Sequence, residues 1–241
     1  MFSGNYMSVV NRKFLGRLGN QMFQYAFARA YSDKFGFELH TDPWVGEEIF
    51  QIEHPRIVEE LPKVSDTLLE FGESGIEIEG YSQLSRCMIF TEDDARKWFQ
   101  LKPDVVSALQ EHTTPANCSH YRCGDYVAAP YPIVSKKSFE LAWSQWGFDP
   151  MEFVEEHSNN ILPGLPEVLP DFYRLVVAPV MFRSNSTFSW WAGVLNTGTV
   201  FSPITAGLAY NIAHDSVPFM PGNYARICDL HMVEELCLKN R

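Results

Sequence analysis

The sequence predicts an α/β fold, on three observations. The chain opens with a strand, a glycine-bearing turn, a helix and a second strand: Val9 to Phe14, then GRLGN, then NQMFQYAFARAYSDKFG, then FELHTD. After a polar, proline-bearing break at EHTTPANC the same order starts again, with SHYRCGDYV leading into a helical SKKSFELAWSQW. Later, a short apolar strand at Val180 to Arg183 runs into SNSTFSWWAGVLN and then VFSP. Strands alternating with amphipathic helices through glycine turns are the pattern of α/β domains.

Each element has its own signal. Met22, Phe23, Ala26, Phe27 and Ala30 recur at helical steps, the stripe of a helix lying on a sheet, and Gly36 supplies its C-terminal stop. Ile76 to Tyr81 alternates as a strand, and TEDDARKWF carries acids in its first turn, as a helix start does. The proline-rich ILPGLPEVLP is a connection, and Asp171 to Val177 fits a short helix. Thr197-Gly198 closes the helix that SNST opens. The break near 111–118 divides the chain into two α/β halves, residues 1–112 and 113–241, with no internal repeat. The final stretch ARICDLHMVEELCLKN is helix-like and has no assigned role.

Composition narrows the function classes. With 241 residues, 46% apolar and 20% charged, the chain can bury a core as one large domain or two small ones. A net charge of −11 repels nucleic acid and anionic membranes, so a phosphate ligand needs local arginines. Five cysteines (Cys87, Cys118, Cys123, Cys228, Cys237) without a C-x-x-C pair indicate reduced thiols rather than a disulfide framework or a zinc site. No basic-then-apolar signal stands in the first twenty residues and no run of about eighteen apolar residues occurs, so a soluble, cytoplasmic protein is expected. In that setting the sequons Asn117-Cys118-Ser119 and Asn185-Ser186-Thr187 are idle. The ten acids between residues 47 and 79, against only Arg56 and Lys63, read as a solvated face.

Three stretches can carry chemistry. Gly16-Arg17-Leu18-Gly19-Asn20-Gln21 stands between strand and helix, where glycines let a ligand approach and Arg17 and Asn20 present a cation and an amide. A tight turn with no ligand reads equally well, and the spacing of a dinucleotide fingerprint is missing, which argues against an oxidoreductase. In His120-Tyr121-Arg122-Cys123-Gly124-Asp125-Tyr126, residues 120 and 122 share one face of a strand, and Asp125 follows in a glycine turn at its carboxyl end. There Arg122 can fork onto a diphosphate and Asp125 can accept a proton; an ion pair between them that pins the turn is the alternative. The third stretch, SNSTFSWW, is a capped helix with an aromatic core. Its backbone N–H groups and the Ser186 and Thr187 hydroxyls can also hold an anion, worth about 0.3–2 kcal/mol from the helix dipole.

Together these stretches resemble the α-1,2-fucosyltransferase family, which carries Gly-Gly-Leu-Gly-Asn-Gln-Met-Phe-Gln-Tyr-Ala, then His-x-Arg-Arg-Gly-Asp-Tyr, then Asn-Ser-Thr-Phe-Ser-Trp-Trp. Here they stand in the same order as GRLGNQMFQYA, HYRCGDY and NSTFSWW, with GYSQL at 80–84 and LKPDV at 101–105 similar to intervening family segments. The resemblance spans residues 9 to about 203. It implies two facing Rossmann-like domains of GT-B type, with a shortened second domain, and an inverting, metal-independent transfer of fucose from GDP-fucose to a hydroxyl of a galactose-containing glycan.

By position, the resemblance gives Arg122 the donor's diphosphate and makes Ser186, Thr187 and Phe188 line the nucleotide and phosphate site. Arg17 and Asn20 would reach the donor from the first domain, as in the protein O-fucosyltransferases with their Gly-Arg-x-Gly-Asn-Gln, and His120 and Asp125 would complete the central motif. Loss of GDP leaves charge on a phosphate oxygen, which arginine and helix N–H groups must neutralise when no metal does. Asp125 is the candidate base, although a carboxyl of pKa about 4 is a poor one unless desolvation raises it.

Two departures set the competing expectations. Cys123 replaces the family's second arginine, a loss that Arg17, standing where the family has its second glycine, can offset from the other side, and the family's strand ending in Phe-Ser-Asp-Asp has no counterpart in the sequence between Trp146 and Asp171. They favour a catalytically degenerate glycan- or nucleotide-binding protein, or a transferase for another GDP-sugar. Arg122, Asp125 and the whole of SNSTFSWW favour the enzyme.

Overall fold

The computed structural model describes residues 9–128, 131–155, 161–205 and 207–223. The helix-like stretch at 225–240, with Cys228 and Cys237, lies outside them. Two compact units divide at the end of Leu101: Met1–Leu101 and Lys102–Arg241. The division falls ahead of the polar break read near 111–118.

In the first unit β1 (Val9–Arg12) leads through the Gly16 turn into α1 (Leu18–Phe35) and β2 (Glu38–Thr41). One helical turn, α2 (Gly46–Ile49), and two strands, β3 (Lys63–Ser65) and β4 (Ile76–Glu79), follow, and then α3 (Glu92–Trp98). The four strands form a parallel sheet in the order β2-β1-β4-β3. α1 stops where the sequence says it should, at Gly36, whose φ of 69° is the left-handed cap that favours glycine. Phe27 and Tyr31 of α1 pack with Val10, Ile76 and Ile78 to form this unit's core. α3 opens on a full capping box, Thr91 and Asp94 each satisfying the other's backbone N–H.

The second unit comprises α4 (Pro103–His112), β5 (Cys118–Tyr121), a 3-10 turn at Gly124–Val127, β6 (Ile133–Val134), α5 (Lys136–Gln145) and β7 (Glu152–Glu155). There follow α6 (Leu169–Val176), β8 (Val180–Phe182), α7 (Thr187–Leu195), β9 (Thr199–Pro203), β10 (Ala213–His214) and β11 (Phe219–Pro221). The main sheet runs β11-β9-β8-β5-β7, parallel except for β11, and β6 pairs with β10 in a separate ribbon. β7 corrects the sequence reading: a strand does stand between Trp146 and Asp171, parallel to β5, but it reads Glu-Phe-Val-Glu.

The faces of this sheet follow from its alternation. Trp143 of α5 donates through Nε1 to Ser119 Oγ at 2.9 Å, and Phe139 packs edge-on to Phe153. α5 therefore covers the Ser119 face. The adjacent residue, His120, points the other way, toward Phe188 of α7, which itself packs on Phe172 of α6. So α6 and α7 cover the opposite face. Among the described residues no helix is long and apolar enough to cross a membrane.

Candidate functional site

Strand order locates the site in the second unit. From β5 the chain moves outward to β7 on one side, whereas from β8 it moves outward to β9 on the other. β5 and β8 are parallel neighbours, and their following helices lie on opposite faces. The segments leaving their carboxyl ends must diverge, which opens the ligand crevice of a doubly wound sheet at this point. The two segments are HYRCGDY and RSNST, two of the three stretches singled out in the sequence.

Contacts tie the two together. His120 Nδ1 and Ser184 Oγ share a 2.7 Å hydrogen bond, and Ser184 Oγ in turn lies 3.2 Å from Ser189 Oγ inside α7. Tyr126 donates its hydroxyl to the Asn185 carbonyl at 3.2 Å, and Asn185 Nδ2 donates to the Pro132 carbonyl at 3.0 Å. The start of α7 is thus held against the turn that carries Arg122 and Asp125. Sequence reasoning missed Ser184, Asn185 and Tyr126 as parts of this site, although all three stand in the stretches it quoted.

Individual side chains differ in what they can do. His120 is buried, and burial together with the nearby Arg122 cation pushes its pKa down to about 3. It is a neutral imidazole near pH 7 and too weak a base there to take a proton, so its part is to orient Ser184. The Arg122 side chain is 10% exposed; its Nη2 donates to Asp125 Oδ1 at 2.5 Å, and its guanidinium stands 5.3 Å from the Tyr126 ring centre. The ion pair named as one alternative from spacing is therefore present.

At the start of α7, Ser186 is the N-cap, its Oγ accepting from Phe188 N at 3.3 Å, which leaves its own O–H to donate. Thr187 opens the helix, half-buried, and Phe188 packs between His120, tilted to it, and Phe172, edge-on.

Arg17 and Asn20 belong to the first unit. Arg17 is exposed at the start of α1, and the turn before it is fixed by Gln24, whose side chain pairs with both backbone groups of Leu15 at 2.9 and 2.7 Å. This turn and the Gly80–Gln83 segment leave adjacent strands, β1 and β4, where that sheet's order also reverses. Gln83 Nε2 donates to Asn20 Oδ1 at 2.9 Å across them. Gly16, with φ of 77°, leaves room for the Asn20 amide, 2.6 Å from where a Cβ would stand. Gln83 lies in GYSQL, a segment the sequence analysis quoted without assigning it a role.

Cys87, Cys118 and Cys123 are free thiols. Among the described residues no group of three or more His, Cys, Asp or Glu side chains could hold a metal ion.

No protein-family model matches the chain, and no curated protein matches it in sequence. Solved structures do match in fold. NodZ α-1,6-fucosyltransferase co-crystallised with GDP superposes with a TM-score of 0.56 at 13% identity, covering 91% of this chain and 100% of NodZ. The NodZ fucosyltransferase structure from Bradyrhizobium gives 0.52 at 13% identity over 82% and 96%. FUT1 from Arabidopsis thaliana in complex with GDP gives 0.51 at 10% identity over 84% and 71%. At these identities the likeness is one of fold: the chain is a mixed α/β protein with parallel sheets, built like the NodZ fucosyltransferase.

Proposed function

We propose that the chain is a glycosyltransferase that moves fucose from GDP-fucose to a hydroxyl of a galactose-containing glycan, without a metal and with inversion at the anomeric carbon. The observation that carries this reading is the junction of the HYRCGDY turn with the start of α7 at the β5/β8 crevice, through His120–Ser184 and Tyr126–Asn185. It holds the turn that carries Arg122 against the segment that opens α7, and a guanidinium with helix N–H groups is the pairing that a departing diphosphate needs. The fold shared with NodZ, solved with GDP and soaked with GDP-fucose, supports a GDP-sugar as donor.

In this reading Arg122, the Ser186 hydroxyl, Thr187 and the first N–H groups of α7 bind the diphosphate, and Phe188 borders the nucleotide. Arg17 and Asn20 also contribute to donor binding. The acceptor hydroxyl forms its bond to the anomeric carbon while the bond to the phosphate oxygen breaks. Its proton passes to Asp125, and the electron pair leaves with GDP, opposite Arg122.

The test is GDP release from GDP-fucose in the presence of EDTA and a panel of galactosides, with GDP-mannose as a parallel donor. Release with GDP-fucose and a galactoside is expected, and Arg122→Ala should lower it at least 100-fold, the scale of removing one oxyanion donor. Wild-type turnover by that variant removes Arg122 from the diphosphate site. A binding protein that has lost turnover is the second reading, favoured by the strand β7 ending without a Ser-Asp-Asp sequence. It predicts GDP binding with no release for any acceptor.

A further inference from the structure

We propose that Asp125 is a displaceable counter-ion: it sits on Arg122 at the place the donor's diphosphate takes, and donor binding exchanges carboxylate for phosphate and sets Asp125 free. This rests on the donor-site reading above and adds to it an order of events.

The geometry of the pair is one-sided. Arg122 is 10% exposed and Asp125 56%, so the carboxylate is the solvent-side partner of a guanidinium that is otherwise packed in. One flank of that guanidinium faces the Tyr126 ring, and the neighbouring His120 is neutral and brings no charge of its own. Asp125 Oδ1 accepts from Arg122 Nη2 at 2.5 Å on that solvent side. A diphosphate approaching Arg122 from the crevice therefore meets a like charge first, and the two anions compete for one cation.

Displacement is local. Asp125 stands in a four-residue 3-10 turn, Gly124–Val127, behind Cys123 and Gly124. Tyr126 ties the turn to the segment between β8 and α7, its hydroxyl donating to the Asn185 carbonyl. The Asp125 side chain can swing outward while Tyr126 keeps its bond. Once off Arg122, the carboxylate oxygen that the guanidinium now occupies is open to an acceptor hydroxyl, and it is so only when a donor is bound. The same exchange thus couples donor binding to the availability of the base and sets donor before acceptor.

Calorimetric titration of the full chain with GDP tests the exchange. Asp125→Asn and Asp125→Ser both remove the competing charge, and each should bind GDP about fivefold more tightly than wild type, the upper range for a partly exposed ion pair. Asp125→Glu, which keeps the charge, should stay close to wild type. Equal or weaker binding by both Asp125→Asn and Asp125→Ser overturns the exchange, since it would make Asp125 a brace that holds Arg122 ready for phosphate. Wild-type protein that binds no GDP overturns the donor-site reading itself, and the exchange with it.

Discussion

Cys123 tests how finely the residue scale can be read. Its thiol bonds toward the Tyr121 hydroxyl, which burial and that contact together push up to about 12. The Tyr121 ring packs on Phe153 and under the Lys136 ammonium, on the α5 face of the sheet, whereas Arg122 turns to Asp125 and Tyr126. Restoring the family's residue with Cys123→Arg should therefore change GDP affinity by no more than about twofold, the scatter expected of uncoupled positions. Calorimetry reads it directly, and a tenfold gain would mean that position 123 does reach the phosphates. Alternation along a strand made it legible that residues 120 and 122 share a face. That His120 meets Ser184 was not legible, because no spacing in the chain says that β5 and β8 are neighbours.

At the scale of elements, α7 joins stability to binding. It is buried nearly all round, with Trp190, Trp191, Ala192 and Val194 in the core, so its position is set by packing and its N-terminus by one cap. Ser186→Ala should cost about 1 kcal/mol in urea unfolding, typical of a lost N-cap, and under the proposed donor site, to which the same hydroxyl is assigned, should also weaken GDP binding. Destabilisation with unchanged GDP affinity would confine Ser186 to capping. Elements with an internal signal were legible: α1 with its stripe and Gly36, α3 with the acids of its first turn, α5 behind Ser135, and α7 behind Ser186. Those missed have their reason outside themselves. β7 and β3 are edge strands of four and three residues with mostly half-buried or exposed positions, so nothing in Glu-Phe-Val-Glu or Lys-Val-Ser alternates toward a core. α4 buries only Val105 and Leu109, one step of four, too little to outweigh the polar residues around them.

For the whole molecule, buried ionisable groups set a pH window. His54 in the first unit and His120 in the second are both lowered, to about 4 and about 3, in each case first by burial. Below pH 6.5 the unfolded chain binds protons that the folded chain refuses, so stability falls as pH falls. For His120 the loss at pH 5 is about 2 kcal/mol; for half-buried His54 it is smaller, because water screens it. On the alkaline side the buried Cys87 and Cys118 thiols are pushed up to about 12 from 9.0. Above pH 9 the unfolded chain loses protons that the folded chain keeps, which costs about 1.4 kcal/mol per thiol at pH 10. Chemical denaturation at pH 5, 7.5 and 10 should accordingly peak at the middle value. The net charge of −11 acts in the opposite sense, since acid relieves self-repulsion, but it does so equally in wild type and in a neutral variant. His120→Gln is that variant: its drop between pH 7.5 and 5 should be smaller than the wild-type drop by about 2 kcal/mol. An acid limb of the same depth in both proteins would mean that this imidazole is not held neutral, and that it carries a proton beside Arg122 after all.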